Sequence, residues 1–155
     1  MVNLHVNSRN VDLDIKPHRT LADVLRTEMG LIGVRVSCSE GECGSCTVLV
    51  DGRPCTSCLM LVNQGEGKSI VTIEGIGTPD DLDPVQEAFI EEQGFQCAFC
   101  TPGFILTAKA FLAENPNPTH DEVSVAMSGN ICRCGAYPYI VRSVMRAAAK
   151  LREFA

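Results

Sequence analysis

The sequence predicts an α+β chain: a small mixed sheet wrapped round one helix, then a bundle of four short helices. Three observations carry that reading. Through the first half, apolar and polar residues alternate in short runs separated by turn residues, the period of half-buried strands. From Asp83 onward the apolar residues recur at three- and four-residue spacing behind capping residues, the period of helices. Finally, 9 of the 155 residues are cysteines, and they fall into tight groups in both halves.

Taken in order, Val2–Asn7 and Val11–Ile15 alternate about Ser8-Arg9-Asn10 and read as a β-hairpin. Thr20 is placed to cap a helix carrying Leu21, Val24 and Leu25, with Asp23 three residues on and Gly30 as its stop. Thr47-Val48-Leu49-Val50 and Arg53–Ser57 flank Asp51-Gly52, a two-residue hairpin turn. Asn63–Lys68 is a polar loop and Ser69–Ile73 the last strand. Hairpin, helix and further strands make a β-grasp arrangement, predicted over residues 1–76. The strand pattern stops within Glu74–Asp81, and a helical part is predicted over residues 77–155. Asp83 caps its first helix, which opens on Pro84 and runs through Val85, Ala88, Phe89 and Ile90 to Gly94. The second starts at Thr101-Pro102, carries Phe104, Ile105, Ala108, Phe111 and Leu112, and ends at Asn115-Pro116-Asn117-Pro118. Thr119 with Glu122 forms a capping box for the third, closed by Gly129. The fourth sets Ile140, Val141, Val144, Met145 and Ala148 on one face, which completes a bundle.

The composition narrows the possible functions. A net charge of −6 argues against nucleic acid as a partner. No apolar stretch is long enough to cross a membrane. The N-terminus, Met1-Val2-Asn3-Leu4-His5-Val6, lacks a basic region, a twin arginine and an apolar signal core, which predicts a cytoplasmic protein. The odd cysteine count and the absence of a signal peptide speak against a disulfide framework. Eight cysteines make two sets of four, and Cys55 is left over as a small packed apolar residue.

The first set is Cys38-Ser39-Glu40-Gly41-Glu42-Cys43-Gly44-Ser45-Cys46, with Cys58 twelve residues further on. The spacing C-x4-C-x2-C followed by a fourth cysteine is the plant-type [2Fe–2S] pattern. Small residues such as Gly41, Gly44 and Ser45 let backbone N–H groups approach an anionic cluster. Zinc also takes four thiolates, but zinc ribbons pair two short C-x2-C knuckles. The second set is Cys97-x2-Cys100 and Cys132-x-Cys134. Pro102 at the start of a helix leaves free N–H groups and a positive dipole end beside Cys100, which favours thiolate. By spacing alone this second set suits zinc as well as iron–sulfur. An adjacent plant-type cluster favours iron–sulfur, because it offers an electron partner.

Three stretches together resemble the iron–sulfur subunit of the molybdenum hydroxylases, the xanthine dehydrogenase, aldehyde oxidoreductase and carbon monoxide dehydrogenase family. They are the Cys38–Cys46 loop, Gln96-Cys97-Ala98-Phe99-Cys100-Thr101-Pro102-Gly103, and Gly129-Asn130-Ile131-Cys132-Arg133-Cys134. The resemblance covers essentially the whole chain. It implies a β-grasp ferredoxin-like domain and a four-helix domain, each with one [2Fe–2S] cluster, held by Cys38, Cys43, Cys46 and Cys58 and by Cys97, Cys100, Cys132 and Cys134. It implies no catalytic residue on this chain. Substrate would be hydroxylated at a molybdopterin centre, of the cytosine dinucleotide type, on a large partner subunit. Electrons would pass through the helical-domain cluster and then the plant-type cluster to FAD on a third subunit or to another acceptor. Gln96 and Cys134 match positions that contact the pterin. Three departures from the family pattern stand out: Ser37 before the first ligand, Ala98 between Cys97 and Phe99, and Gly135-Ala136-Tyr137 after Cys134. The last points to an aldehyde or an N-heterocycle as substrate.

The remaining candidates are plainer. His5, His18 and His120 are scattered and read as surface or local hydrogen-bonding residues. Arg142, Arg146 and Lys150, four residues apart, read as the solvated face of the last helix, cations near its C-terminus. Two other functions compete with the subunit reading. A free-standing two-cluster ferredoxin is one, although an ordinary plant-type ferredoxin needs only the first half. A colourless zinc-stabilised interaction module is the other.

Overall fold

Residues 1–153 are described by a computed structural model. Its sheet has five strands, β1 (Val2–Val6), β2 (Arg9–Leu13), β3 (Thr47–Val50), β4 (Arg53–Thr56) and β5 (Ser69–Val71), in the order β2-β1-β5-β3-β4. Strand β5 runs parallel to β1 and antiparallel to β3, so the last strand in sequence lies in the centre. Helix α1 (Leu21–Thr27) lies against this sheet, with Leu21, Ala22, Val24 and Leu25 buried among Val2, Leu4, Val6, Val48 and Ile70. Each large aliphatic side chain buried there contributes about 1.5–3 kcal/mol. This is the sheet-and-helix part that the hydrophobic period predicts.

Local chemistry explains where the elements begin and turn. The Thr20 side chain accepts from the Asp23 N–H at 3.2 Å, as the capping pattern requires. The β3–β4 turn has Asp51 at φ 50° and Gly52 at φ 80°, the two positive values that a tight right-twisted hairpin needs. The first hairpin differs from the sequence expectation. Its turn is Asn7-Ser8, at φ 49° and 63°, rather than Ser8-Arg9-Asn10, and Val6 pairs with Arg9. Asparagine tolerates the left-handed region, so Asn7 can open a two-residue turn one position earlier. Strand β5 also ends at Val71 rather than Ile73, because Ile73–Gly75 winds into a 3₁₀ turn.

Four helices follow: α2 (Pro84–Glu91), α3 (Thr101–Glu114), α4 (His120–Ala126) and α5 (Tyr137–Glu153). Asp83 caps α2, accepting from the Val85 N–H at 2.9 Å, while Gln86 accepts from the Asp83 N–H at 3.0 Å. Thr119 and Glu122 form the expected reciprocal box at the start of α4. A second core joins Phe89, Phe104, Ile140 and Val144, and Ile73 and Ile76 already pack against it. Of the α5 cations, Arg142 and Arg146 are exposed as a solvated face requires, whereas Lys150 is buried, and all three meet acids. Lys150 donates to Glu87 at 2.9 Å and Glu91 at 2.5 Å, Arg146 meets Glu91 at 3.0 Å, and Arg142 reaches Glu92 at 3.8 Å. The four-residue spacing runs along the α2–α5 seam, where acids on the facing helix offset the cations.

The two cores meet through buried polar contacts. Asn130, only 4% exposed, donates from Nδ2 to the Gly44 carbonyl at 2.9 Å and accepts from Thr107 Oγ1 at 3.0 Å. One residue on, the Ile131 N–H donates to the Cys43 carbonyl at 2.9 Å. A Cβ on Gly103, in α3, would run into the Gly44 carbonyl. Only glycine lets the two backbones come this close.

Candidate functional site

Both cysteine sets sit at this junction, and each is built as two pairs of thiols. Cys38 and Cys43 are within hydrogen-bonding reach of each other, as are Cys46 and Cys58. In the other set Cys97 faces Cys134, and Cys100 faces Cys132. One pair in each set is buried, Cys46 with Cys58 and Cys100 with Cys132. The other pair lies further out: Cys38 and Cys43 are half-buried, whereas Cys97 and Cys134 are exposed.

The first set is shaped by loop and hairpin. Ser39, Gly41 and Gly44 all take positive φ, at 59°, 80° and 67°, so the chain curls round its own thiols. The Glu40 and Cys43 N–H groups both point at Cys38 Sγ, at 3.4 Å. Those donors favour the thiolate, Glu40 first, and lower the Cys38 pKa to about 7. The β3–β4 hairpin supplies the other half. Ser57 donates through its side chain to the Cys46 carbonyl at 2.5 Å, and this holds the following residue, Cys58, beside Cys46. Burial, with Cys58 alongside, pushes the Cys46 thiol up to about 11.

The second set is shaped by helix starts. Cys100 immediately precedes α3, and Cys132 and Cys134 lie just before α5. The Ala136 N–H points at Cys132 Sγ at 3.4 Å, and the Cys132 N–H donates to Tyr137 Oη at 2.9 Å. The Phe99 N–H, and then the Cys134 thiol, draw the Cys97 pKa down. Burial, and then Cys132, push Cys100 up to about 12. Thr101 Oγ1 is buried next to Cys100 in sequence and has no hydrogen-bond partner.

The donors fit a two-iron cluster. Among the described residues, no three His, Cys, Asp or Glu side chains come together round a point for one ion. Tetrahedral zinc asks for four donors about one centre, whereas a [2Fe–2S] cluster divides four thiolates between two irons. Paired thiols suit the second arrangement. Cys38 and Cys97 are already drawn towards thiolate, whereas Cys46 and Cys100 need the positive charge of bound metal to ionise. An anionic group beside Cys100 would also give the Thr101 hydroxyl an acceptor.

The chain resembles known proteins over both sets. Residues 5–89 match the family model for a 2Fe-2S iron-sulfur cluster binding domain, and residues 72–145 match that for a [2Fe-2S] binding domain. The nicotinate dehydrogenase small FeS subunit of Eubacterium barkeri is 44% identical, covering 96% of this chain and 95% of its own length. The chain belongs to the iron–sulfur subunits of the molybdenum hydroxylases. The structure of quinoline 2-oxidoreductase from Pseudomonas putida 86 superposes with a TM-score of 0.93 at 42% identity, over 98% of this chain and 95% of the matched one. The aldehyde oxidoreductase of Desulfovibrio desulfuricans ATCC 27774 gives 0.94 at 44% identity over 98% of this chain, which spans 17% of that longer chain.

As an iron–sulfur subunit of an oxidoreductase, the chain carries features that spacing alone did not single out. Asn130 and Ile131 tie the two cysteine sets together, and their only sequence signal is an asparagine among apolar and glycine neighbours two residues before Cys132. Ala98 takes φ 59°, a left-handed conformation that costs an alanine about 1–2 kcal/mol and a glycine nothing. Cys55 is half-buried and packs at the edge of the sheet core, opposite Val48. Gln96 is exposed beside Cys97. No helix among the described residues is long and apolar enough to cross a membrane.

Proposed function

We propose that this subunit carries electrons from a molybdopterin centre, of the cytosine dinucleotide type, on a large partner subunit to FAD on a further subunit or to another acceptor. The observation that carries this is the pairing of eight thiols into two sites joined by buried hydrogen bonds. Cys38, Cys43, Cys46 and Cys58 would hold one [2Fe–2S] cluster, and Cys97, Cys100, Cys132 and Cys134 the other. Such clusters supply one-electron chemistry when bound.

The chain's own residues supply the rest. Inward N–H groups at Cys38 and Cys132 favour negative charge at both sites. The Ile131 N–H to Cys43 carbonyl bond gives a short connection from one ligand loop to the other. Exposure sets the direction of use: Cys97, Cys134 and Gln96 lie at the surface and form the face for the large subunit. The Gln96 amide both donates and accepts, which suits a pterin edge. The division near residue 76 keeps the outer site and the sheet on separate parts, 77–155 and 1–76. Aldehydes or N-heterocycles are the proposed substrates, supported by Gly135-Ala136-Tyr137 and by relatives named for nicotinate, quinoline and aldehyde. The proposed location is the cytoplasm.

Two measurements test the reading. Well-loaded protein should contain iron and acid-labile sulfide in equal amounts; zinc in their place would overturn it. In the assembled complex, Gln96→Ala should keep both clusters and normal reduction by dithionite, yet slow reduction by substrate about tenfold, the effect of losing roughly one good hydrogen bond. Substrate-driven reduction at the wild-type rate would remove Gln96 from the pterin edge.

A further inference from the structure

Arg35 precedes the first cysteine set in sequence and lies against the loop of the second, and among the described residues it pairs with no carboxylate. It lies three residues before Cys38, and its guanidinium carbon is 5.8 Å from the ring centre of Phe99, inside the Cys97–Cys100 loop. Its Nε is buried and has no hydrogen-bond partner. Arg19, Lys68, Lys109, Arg142, Arg146 and Lys150 all meet carboxylates, and Arg26 and Arg152 meet backbone carbonyls. Among the described residues, Arg35 meets neither; nor do Arg9, Lys16, Arg53 and Arg133, but those four are exposed whereas Arg35 is half-buried. It lines instead a mostly apolar groove of about 350 Å³, with Ile73, Phe89, Phe95, Ala98 and Ile105.

An unpaired cation in such surroundings costs free energy unless an anion nearby compensates it. The apolar walls also let its field reach further than it would in water. Phe99 lies between Cys97 and Cys100, and Ala98 and Thr101 line the same groove as Arg35, so the anion that the fold brings near is, on the function proposed above, the cluster those cysteines hold. We propose that Arg35 sets the reduction potential of the cluster at Cys97, Cys100, Cys132 and Cys134. Reduction adds one electron, donated by the partner's molybdenum–pterin centre, and one unit of negative charge, with no bond made or broken. A fixed positive charge held on the Phe99 face stabilises the more negative state and so raises the potential. The stacking positions the guanidinium, and the charge does the tuning.

The test is an EPR-monitored redox titration of the cluster-loaded full chain, with dithionite as reductant, for wild type, R35M and R35K. R35M should shift the oxidised-to-reduced ratio of the helical-part cluster about tenfold towards oxidised at a fixed potential, or about 59 mV for a one-electron couple. The other cluster should move less, and R35K should stay near wild type. If R35M loses the cluster, R35Q takes its place in the comparison. Unmoved potentials in a loaded neutral variant would overturn the role of Arg35 alone, as would R35K falling as low as R35M. Zinc in place of iron in the wild-type chain would overturn the cluster reading itself, and this inference with it.

Discussion

The two cysteine sites share a plan and differ in exposure. Each has a buried thiol, Cys46 or Cys100, that burial holds towards the protonated form, and an outer one, Cys38 or Cys97, that backbone N–H groups draw towards thiolate. In the sheet half a curled loop wraps the outer pair, leaving Cys38 and Cys43 half-covered. In the helical half the ligands sit at the starts of α3 and α5, and Cys97 and Cys134 reach the surface. A loop that curls round its thiols insulates them, whereas helix ends present theirs to a partner. On the function proposed above, the difference gives the sites different work: the more exposed helical-half site meets the large subunit, and the half-covered sheet-half site passes the electrons on.

The largest test of this comparison removes one site at a time. Cys58→Ala should abolish the sheet-half cluster and halve the iron content, leaving the helical-half spectrum intact. Cys55→Ala, three residues away, should keep both clusters and cost no more than about 1–2 kcal/mol. Exchanged phenotypes would move the fourth ligand to Cys55. A smaller effect should come from the tie between the sites. Asn130→Ala leaves the half-buried Thr107 hydroxyl without its partner and takes away one of three donors to the Gly44 carbonyl, which keeps the Thr47 N–H and hydroxyl, at a cost of about 0.5–1.5 kcal/mol. Its thermal unfolding should split into two steps, one for each core; a single unshifted transition would show that the halves are joined elsewhere. The smallest change should come from Ala98→Gly, which relieves the left-handed strain but adds glycine's backbone entropy. A gain below about 1 kcal/mol is expected in denaturant titration, with both cluster spectra unchanged.

Much of this architecture was legible because its signals are local. Thr20, Asp83 and the Thr119–Glu122 box cap helices through residues two or three positions away, and Asp51-Gly52 turns a hairpin by itself. The cysteine groups were legible for the same reason, since C-x4-C-x2-C, C-x2-C and C-x-C each place neighbouring thiols in one loop. What the sequence concealed depends on long-range approach. The Asn130–Gly44 bond spans 86 residues, and no periodicity marks either partner. The acidic partners of Arg142, Arg146 and Lys150 lie on α2 and at its C-terminal end, some fifty to sixty residues earlier, so the exposed stripe of Arg142 and Arg146 was legible but its acidic partners and the burial of Lys150 were not. The first hairpin turn was placed one residue late and made three residues long instead of two, because Asn7 and Asn10 can both take a turn conformation.

The position of β5 has a consequence for the order of assembly. Strands β1 and β2 form one hairpin and β3 and β4 another, each from pairings between near neighbours, but the two join only through β5 between them. Synthesis must therefore reach residues 69–71 before the sheet can close, and loop-closure entropy makes these last pairings the slow ones. Cys46 and Cys58, by contrast, are brought together by the β3–β4 hairpin alone. A nascent chain thus presents half of its first ligand set, on a finished hairpin, while the sheet behind it is still open.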